Sequence, residues 1–323
     1  MTEPLLKIND LEIVYSQNRK VVHAVNGVSL QLEKGKTLGL VGETGAGKTT
    51  IAKAIMRILP NPPARILRGE ILFENEDLLK KSESEMGDVR GEKIAMIFQD
   101  PMTALNPLMT VGDQILEVIK LHTDCSRQEG MKKAGEMLET VGIPAERYVE
   151  YPHQFSGGMK QRVVIAMALA CNPELILADE PTTALDVTIQ AQVLDLINAL
   201  KEKYNTAMIL ITHDLGVVAQ TCDEVAVIYA GQIVEYGKKE EIFMHPLHPY
   251  TLGLFASLPE MSIGKKRLKP IDGMPPDPTV VAEGCPFRPR CPYAMEKCGQ
   301  SVENREIAPN HFCRCIWEGR KSE

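Results

Sequence analysis

Residues 42–49 read Gly-Glu-Thr-Gly-Ala-Gly-Lys-Thr, which is the spacing G-x-x-x-x-G-K-[ST] of phosphate-binding loops. Glycine lets the backbone N–H groups of such a loop turn inward around phosphate oxygens, because no Cβ atom clashes. Lys48 is expected to reach the β- and γ-phosphates, and the Thr49 hydroxyl is expected to bind Mg²⁺. The residues predicted to contact a nucleotide here are Gly42, Glu43, Thr44, Gly45, Ala46, Gly47, Lys48, Thr49 and Thr50.

An acidic pair follows an apolar run further along the chain. The run 175–178 is predicted to be a buried strand, and Asp179 and Glu180 come directly after it. Ligands collect at the carboxyl ends of parallel strands, so Asp179 is predicted to hold Mg²⁺ through water. Glu180 is predicted to polarise or deprotonate the water that attacks the phosphate. Strand ends are often acidic and solvated, and the catalytic interpretation therefore depends on the phosphate loop upstream.

Two other polar residues are further candidates. His213 follows the apolar run 208–211, and we expect it beside the acidic pair, where its ring could bond the γ-phosphate and hold Glu180 and the water in line. A single histidine at a strand end is more often structural, and that alternative stays open. Gln99 follows another apolar stretch and is an uncharged donor and acceptor that suits contact with the metal ion and the water.

The elements that must position these residues are short apolar strands that alternate with helices. Strands are predicted at 37–41, 68–78, 175–178, 208–211 and 225–228, and helices at 49–59, 127–141, 159–171 and 190–204. Residues 5–34 alternate apolar and polar side chains, which predicts antiparallel strands. Alternating strands and helices favour an α/β fold with a mostly parallel sheet. A Pro-rich segment begins near residue 245, and we expect a domain boundary between 240 and 260.

Two further motifs make the pattern specific. Ser156, Gly157 and Gly158 stand at the start of a predicted helix, where backbone N–H groups and the helix dipole would face an anion. A plain N-cap by Ser156 is the alternative explanation. The second motif, Thr-Ala-Leu-Asp at 183–186, ends at Asp186. In content and order, these motifs and the residues above resemble the signature motif and D-loop of ATP-binding cassette (ABC) ATPases, over roughly residues 5–240.

The resemblance implies a P-loop ABC nucleotide-binding domain over residues 1–245. Its expected parts are a mostly parallel core sheet, an antiparallel N-terminal β subdomain and a helical subdomain at about 100–170. It also implies ATP and Mg²⁺ as ligands and a composite site, in which Ser156 and Gly158 of one cassette cap the γ-phosphate held by Lys48 of another. A lone cassette is therefore expected to bind ATP but to hydrolyse it poorly.

Two further positions bear on this resemblance, one in favour of it and one as a departure from it. Tyr15 lies where the family places an aromatic ring that stacks on adenine, with an ordinary strand aromatic as the alternative. The generic signature is Leu-Ser-Gly-Gly-Gln, and this chain has Phe155 and Met159 at the first and fifth positions. The phosphate contacts are expected to survive that change. A side-chain contact from the fifth position to the nucleotide is not carried over to Met159.

The C-terminal segment narrows the resemblance to one group. His-Pro-Leu-His-Pro-Tyr-Thr at 245–251, the Pro-rich stretch and the run of cysteines are similar to the ATPase subunits of dipeptide/oligopeptide and nickel importers. This implies two membrane permease subunits, a second homologous ATPase subunit and, indirectly, an extracytoplasmic substrate-binding protein. Dipeptides, longer peptides and nickel all remain open as cargo. A soluble ABC ATPase outside transport, with a metal-sensing tail, is the alternative from another class.

Composition limits the other functions. The chain has 323 residues and a net charge of −7, from 36 Lys and Arg against 43 Asp and Glu, which disfavours a nucleic-acid partner. No stretch approaches the length of a membrane span, and the N-terminus lacks the pattern of a secretory signal. We therefore expect a peripheral protein at the cytoplasmic face of the membrane, held there by its partners.

Five of the eight cysteines lie in the last 40 residues, and that clustering predicts a metal site in a C-terminal Pro- and Cys-rich domain, 246–323. The predicted ligands are Cys285, Cys291, Cys298 and Cys315, with Cys313 as the alternative to Cys315. Structural zinc favours tighter Cys-x₂₋₄-Cys spacing, so a [4Fe–4S] cluster is favoured over Zn²⁺, which stays the alternative. The family resemblance places its last cysteine near Cys315. Unligated thiols are the plain alternative.

Overall fold

The structure is a computed structural model that describes residues 3–17, 20–183, 185–257 and 271–317. The chain divides into two compact units. The first contains Glu33–Thr37 and Lys80–Ile211. The second contains Pro4–Leu32, Leu38–Leu79 and the chain from Thr212 onward. Within the described stretches, none of the helices combines the length and the apolar character that crossing a bilayer requires.

Twelve strands and ten α-helices are defined within the described residues. The strands are β1 Leu6–Gln17, β2 Lys20–Leu32, β3 Thr37–Val41, β4 Ala64–Phe73, β5 Glu76–Asp77, β6 Ile94–Ile97, β7 Leu175–Asp179, β8 Ala207–Ile211, β9 Glu224–Tyr229, β10 Gln232–Lys238, β11 Arg305–Ala308 and β12 His311–Cys313. The helices are α1 Lys48–Ile55, α2 Glu83–Val89, α3 Pro101–Ala104, α4 Val111–His122, α5 Arg127–Thr140, α6 Gly157–Leu169, α7 Val187–Tyr204, α8 Leu215–Thr221, α9 Lys239–Met244 and α10 Pro249–Ala256.

The first unit contains three parallel strands in the order β8–β7–β6. Ile97 pairs with Ala178, and Asp179 pairs with Ile211. Every residue of these strands is buried, which explains why each strand is a continuous apolar run rather than an alternating one. Because the strands run parallel, their carboxyl ends meet at one edge, and Gln99 and Glu180 both follow that edge.

A helical region, α3 to α6, lies between β6 and β7 in the chain and packs α4 against α5 and α6. Local capping defines where its helices begin. The Thr110 hydroxyl accepts the Asp113 N–H at 3.1 Å at the start of α4. At α5, Ser126 and Glu129 form a capping box, in which each side chain accepts the other residue's backbone N–H.

The second unit contains two sheets. The first is antiparallel, with strand order β2–β1–β4–β5, and it confirms the antiparallel strands predicted for residues 5–34. The second runs β11–β12–β10–β9–β3, with β3 and β9 parallel and the other pairs antiparallel. The C-terminal segment takes part in this second sheet through β11 and β12.

Two predicted elements end differently from the sequence-based expectation. The helix predicted at 49–59 is α1, which stops at Ile55, and Arg57 then adopts a left-handed backbone with φ of 51°. The strand predicted at 68–78 is a hairpin of β4 and β5, because Glu74 and Asn75 both have positive φ and turn the chain. The predicted central strands agree with the structure to within one residue at either end.

Candidate functional site

The phosphate-binding loop joins β3 to α1 and depends on glycine at two positions. Gly42 has φ of 156°, and a Cβ atom there would lie 2.1 Å from the carbonyl oxygen of Ile228. Gly47 has φ of 102°, and a Cβ atom there would lie 2.3 Å from the carbonyl oxygen of Ala24. Any larger residue would therefore collide with the backbone. The loop conformation is specified by tight packing as well as by left-handed backbone angles.

Lys48 begins α1 and folds back over the loop. Its side chain donates to the carbonyl oxygens of Gly42 at 2.7 Å and Glu43 at 3.0 Å, and the residue is 7% exposed. The first turn of α1 carries Thr49 and Thr50, and helix N-terminal N–H groups favour anions. The Tyr15 hydroxyl lies 3.4 Å from the Thr50 hydroxyl, so the predicted adenine-stacking residue does lie near the phosphate-binding loop.

The C-terminal segment also holds this loop through Glu43, a contact that the sequence did not indicate. The Glu43 backbone N–H donates to the Tyr250 hydroxyl at 2.9 Å. Arg290 donates to both carboxylate oxygens of Glu43, at 2.9 and 3.1 Å. Burial raises the pKa of Tyr250, which keeps its hydroxyl neutral. The one available signal was the His-Pro-Tyr segment at 248–250, which served only to narrow the family resemblance.

The acidic pair stands at the end of β7 in a constrained backbone. Asp179 is 3% exposed, and Glu180 has a left-handed φ of 47°, an uncommon conformation that concentrates at functional sites. The Glu180 backbone N–H donates to the Ile211 carbonyl at 2.8 Å, which fixes this bend. One oxygen of the Glu180 carboxylate accepts from the Gln99 amide at 2.8 Å and from the Thr183 hydroxyl at 2.9 Å.

These contacts bring two predicted site residues together, Gln99 and Glu180. The contact follows from the parallel pairing of β6 with β7, which aligns their carboxyl ends. Thr183 was not identified from the sequence as a partner of Glu180. Its position three residues after the acidic pair was the available signal.

His213 stands between β8 and α8 and is exposed. Its neighbour Asp214 caps α8, accepting the N–H groups of Gly216 at 2.9 Å and Val217 at 3.2 Å. The Thr212 hydroxyl accepts the Asp214 N–H at 3.0 Å. The backbone on which His213 sits is therefore well defined, and its role toward Glu180 and the γ-phosphate stays a prediction.

The signature motif caps α6 as the sequence suggested, and Ser156 accepts the Met159 N–H at 3.4 Å. A Cβ atom on Gly158 would lie 2.5 Å from Ile189 of α7, whereas one on Gly157 would meet nothing closer than 3.8 Å. Close helix packing thus requires glycine at position 158 in particular. At the following D-loop, Asp186 accepts the Ile189 N–H at 3.0 Å and caps α7, while Ala184 lies outside the described residues.

The two unusual signature residues share a partner that the sequence did not reveal. The Arg147 guanidinium stacks 4.3 Å from the centre of the Phe155 ring. The same side chain donates to the Met159 sulfur at 3.4 Å and pairs with Glu150 at 2.6 Å. Phe155 is buried and Met159 is engaged within its own unit, which gives both substitutions a structural reason.

Four of the clustered cysteines line one small cavity, which also contains His248. They are Cys285, Cys291, Cys298 and Cys315. Burial, with smaller contributions from the neighbouring thiols, raises the pKa of the Cys285 thiol to about 11. Cys313 is not one of the described residues that line this cavity. It lies in β12, where it pairs with Glu235 of β10.

The predicted metal cluster is not confirmed. Across the described stretches of chain, no group of three or more His, Cys, Asp or Glu side chains stands ready to hold a metal ion.

Comparison with solved structures defines the class of protein. The dimeric ATP-binding cassette MJ0796, in a post-hydrolysis state bound to ADP and Pi, is 27% identical and aligns with a TM-score of 0.65. The alignment covers 72% of this chain and 98% of that one. The cbiO1 protein from Clostridium perfringens, part of the ABC transporter complex cbiONQ, is 26% identical with a TM-score of 0.65, over 76% and 92% of the two chains. The fold is that of an ABC ATPase cassette.

Sequence comparison extends the match to the C-terminal segment. Residues 25–183 match the ABC transporter family, and residues 234–298 match the C-terminal region of oligopeptide/dipeptide transporters. The dipeptide transport ATP-binding protein DppD of Bacillus subtilis is 48% identical over 99% of this chain and 97% of its own length. The oligopeptide transport ATP-binding protein OppD of the same organism is 55% identical, over 90% and 82%. The OppD protein of Salmonella typhimurium is 46% identical, over 97% and 93%.

This chain therefore belongs to the ABC transporter family, and its C-terminal region is that of the oligopeptide/dipeptide transporters. It is an ATPase subunit of that class. The resemblance inferred from the sequence motifs is confirmed.

Proposed function

We propose that this chain is the ATP-hydrolysing motor subunit of an importer for dipeptides or oligopeptides. The observation that carries the proposal is the match of residues 234–298 to the oligopeptide/dipeptide transporter C-terminal region. Relatives named for dipeptide and oligopeptide transport, matched over most of both chains, support it. The subunit would sit at the cytoplasmic face of the membrane on two permease subunits, beside a second homologous ATPase and without nucleic acid. An extracytoplasmic binding protein would deliver the cargo.

For nucleotide binding, we propose that the loop from Gly42 to Thr50 surrounds the ATP phosphates. Lys48 would exchange its two carbonyl contacts for oxygens of the β- and γ-phosphates, and Tyr15 would stack on adenine. Ser156 and Gly158 of an opposing cassette would close the site, because a helix N-terminus favours the negative charge of the γ-phosphate. Asp186 would shape the D-loop at the same boundary between cassettes.

For hydrolysis, we propose Glu180 as the general base for the attacking water. Gln99 donates to the Glu180 carboxylate, an arrangement that supports a shared role in orienting that water. His213 would hold the γ-phosphate and the water in line. Mg²⁺ would be held by Thr49, Gln99 and Asp179, each of which offers an oxygen ligand. When bound, the ion neutralises phosphate charge and polarises the transferred group.

The cargo is tested by uptake in cells whose own copy of the gene has been deleted. Cells would receive the wild-type chain or Lys48→Ala and would be supplied with a labelled dipeptide, a labelled pentapeptide or labelled nickel. Restored peptide uptake with wild type but not with Lys48→Ala is expected. Nickel uptake alone would instead support the nickel importer, and a chain that co-purifies with ribosomes rather than permeases would support a non-transport ATPase.

We propose also that residues 246–323 act as a C-terminal domain that holds a [4Fe–4S] cluster through Cys285, Cys291, Cys298 and Cys315. The support is that these four thiols line one cavity, and that four cysteines are a suitable donor set for such a cluster. The position of Cys313 outside that lining favours Cys315 as the fourth ligand. Residues 258–270 and 318–323 of this proposed domain lie outside the described residues.

Anaerobic purification tests the cluster. We expect brown protein with about four irons per chain and broad absorption near ~400 nm, as a four-cysteine cluster requires. Cys315→Ser should lose the iron, and Cys313→Ser is the matched control that should keep it. Colourless protein with one zinc per chain would contradict the cluster and support the zinc alternative. Protein without metal would mean that the cysteines are unligated thiols.

A further inference from the structure

We propose that Tyr250 and Arg290 are positioning residues for the phosphate loop, through which the C-terminal segment sets the affinity for ATP. Both side chains converge on Glu43, the second residue of the loop. Neither is near it in sequence, since Tyr250 lies 207 and Arg290 lies 247 residues away. The inference rests on the proposed role of this loop as the phosphate site.

Glu43 is held at three separate points. Its backbone N–H donates to the Tyr250 hydroxyl at 2.9 Å, and its carboxylate accepts two hydrogen bonds from Arg290. Its carbonyl oxygen accepts from Lys48 at 3.0 Å. The amide of Glu43 is thus already engaged, and the phosphate must be bound by the later N–H groups of the loop. The carbonyl that orients Lys48 belongs to a residue whose other two groups are fixed by the C-terminal segment.

The groups that hold Glu43 are themselves packed against other side chains. Tyr250 is fully buried, and the Arg290 side chain is only 6% exposed. The rings of Tyr229, Tyr250 and Phe287 pack with centroids 4.5 to 5.4 Å apart. The Arg290 partner of this bidentate pair is buried while the Glu43 side chain is 26% exposed, so the geometry of the pair is more restrictive than that of a fully exposed ion pair.

The same contacts connect the loop to the cysteine cavity. Phe287 and Arg290 lie in the short segment between Cys285 and Cys291, and Phe287 itself lines the cavity. Arg290 also donates to the carbonyl oxygens of Ile271 and Asp272. A change in the fold of this segment would therefore move the guanidinium that holds Glu43. Loss of that contact frees the loop, and ATP binding must then order it again at the expense of affinity.

Isothermal titration of Mg–ATP into the full chain tests the inference. The variants are Arg290→Met, Glu43→Ala and the double variant, with Arg288→Met as the matched control from the same short helix but with an exposed side chain. We expect each of the first two to raise the Kd about tenfold, and the double variant to raise it about tenfold rather than a hundredfold, because both remove one interaction. Arg290→Lys keeps one charged contact, so its Kd should be about threefold lower than that of Arg290→Met. Arg288→Met should bind within about twofold of wild type.

Several results would overturn this inference. If Arg290→Met melts at a lower temperature but binds Mg–ATP as wild type does, Arg290 is only structural. Additive losses in the double variant would mean that Arg290 acts without Glu43. If wild type does not bind Mg–ATP, or if Lys48→Ala binds it equally well, the phosphate role of the loop fails and this inference fails with it.

Discussion

Replacing Glu180 with Gln separates its chemistry from its geometry. The Gln99 amide and the Thr183 hydroxyl both donate to the same oxygen of the Glu180 carboxylate. A glutamine side chain of equal length can present its amide oxygen to both donors, and the left-handed backbone at this position needs no change. Only the ability to take a proton from water is removed. We therefore expect Mg–ATP affinity within about twofold of wild type.

The magnitude follows from the role of a general base. Positioned bases contribute roughly 10²- to 10⁴-fold to a rate, and each factor of ten corresponds to about 1.4 kcal/mol of barrier. The Glu180→Gln variant should thus lose about 3 to 5 kcal/mol of transition-state stabilisation. Steady-state hydrolysis is measured in the proposed complex with permeases and a partner ATPase, and affinity is measured by titration. Thr183→Val is the control: it removes one donor, keeps the carboxylate and should slow turnover by less than about tenfold.

Two results would refute this reasoning. Turnover of Glu180→Gln within about threefold of wild type, less than 1 kcal/mol, would mean that another group activates the water. A loss of ATP affinity with normal turnover would instead make Glu180 a binding residue. In contrast, a variant that binds ATP and keeps the two cassettes closed without turnover is the expected outcome.

Three further predictions concern assembly, packing and pH. The isolated chain should hydrolyse ATP slowly, and fast turnover by a confirmed monomer that does not rise with protein concentration would contradict a composite site. Gly158→Ala should destabilise the fold by about 1 to 3 kcal/mol relative to Gly157→Ala in urea unfolding, because only the former meets Ile189. Burial lowers the pKa of His248 to about 3, from about 6.5 in the unfolded chain. The free energy of unfolding should therefore fall as the pH drops below about 6.5, by about 1.4 kcal/mol per pH unit. His248→Asn keeps an acceptor at the start of α10 and should lose that slope; an unchanged slope would assign the titration to another group.

Much of the nucleotide-binding part followed from the sequence because its determinants are local. The phosphate loop is specified by glycines within a few residues of one another, and the buried strands are recognisable as continuous apolar runs. The contact between Gln99 and Glu180, in contrast, became visible only in the structure, where β6 pairs with β7 in parallel. The end of α1 was predicted too late, since the left-handed Arg57 has no strong sequence signal.

Sequence alone therefore determined the family, the order of the motifs and the residues that are candidates for binding ATP. Only the tertiary structure decided which distant side chains meet. The contacts of Glu43 with Tyr250 and Arg290 span more than 200 residues. Cys315 rather than Cys313 lines the cysteine cavity, and this depends on how the chain leaves β12. The physical reason is the distance along the chain over which each determinant acts. Helix caps, glycine turns and strand periodicity act over a few residues. A buried ion pair or a shared cavity exists only after remote segments have packed together.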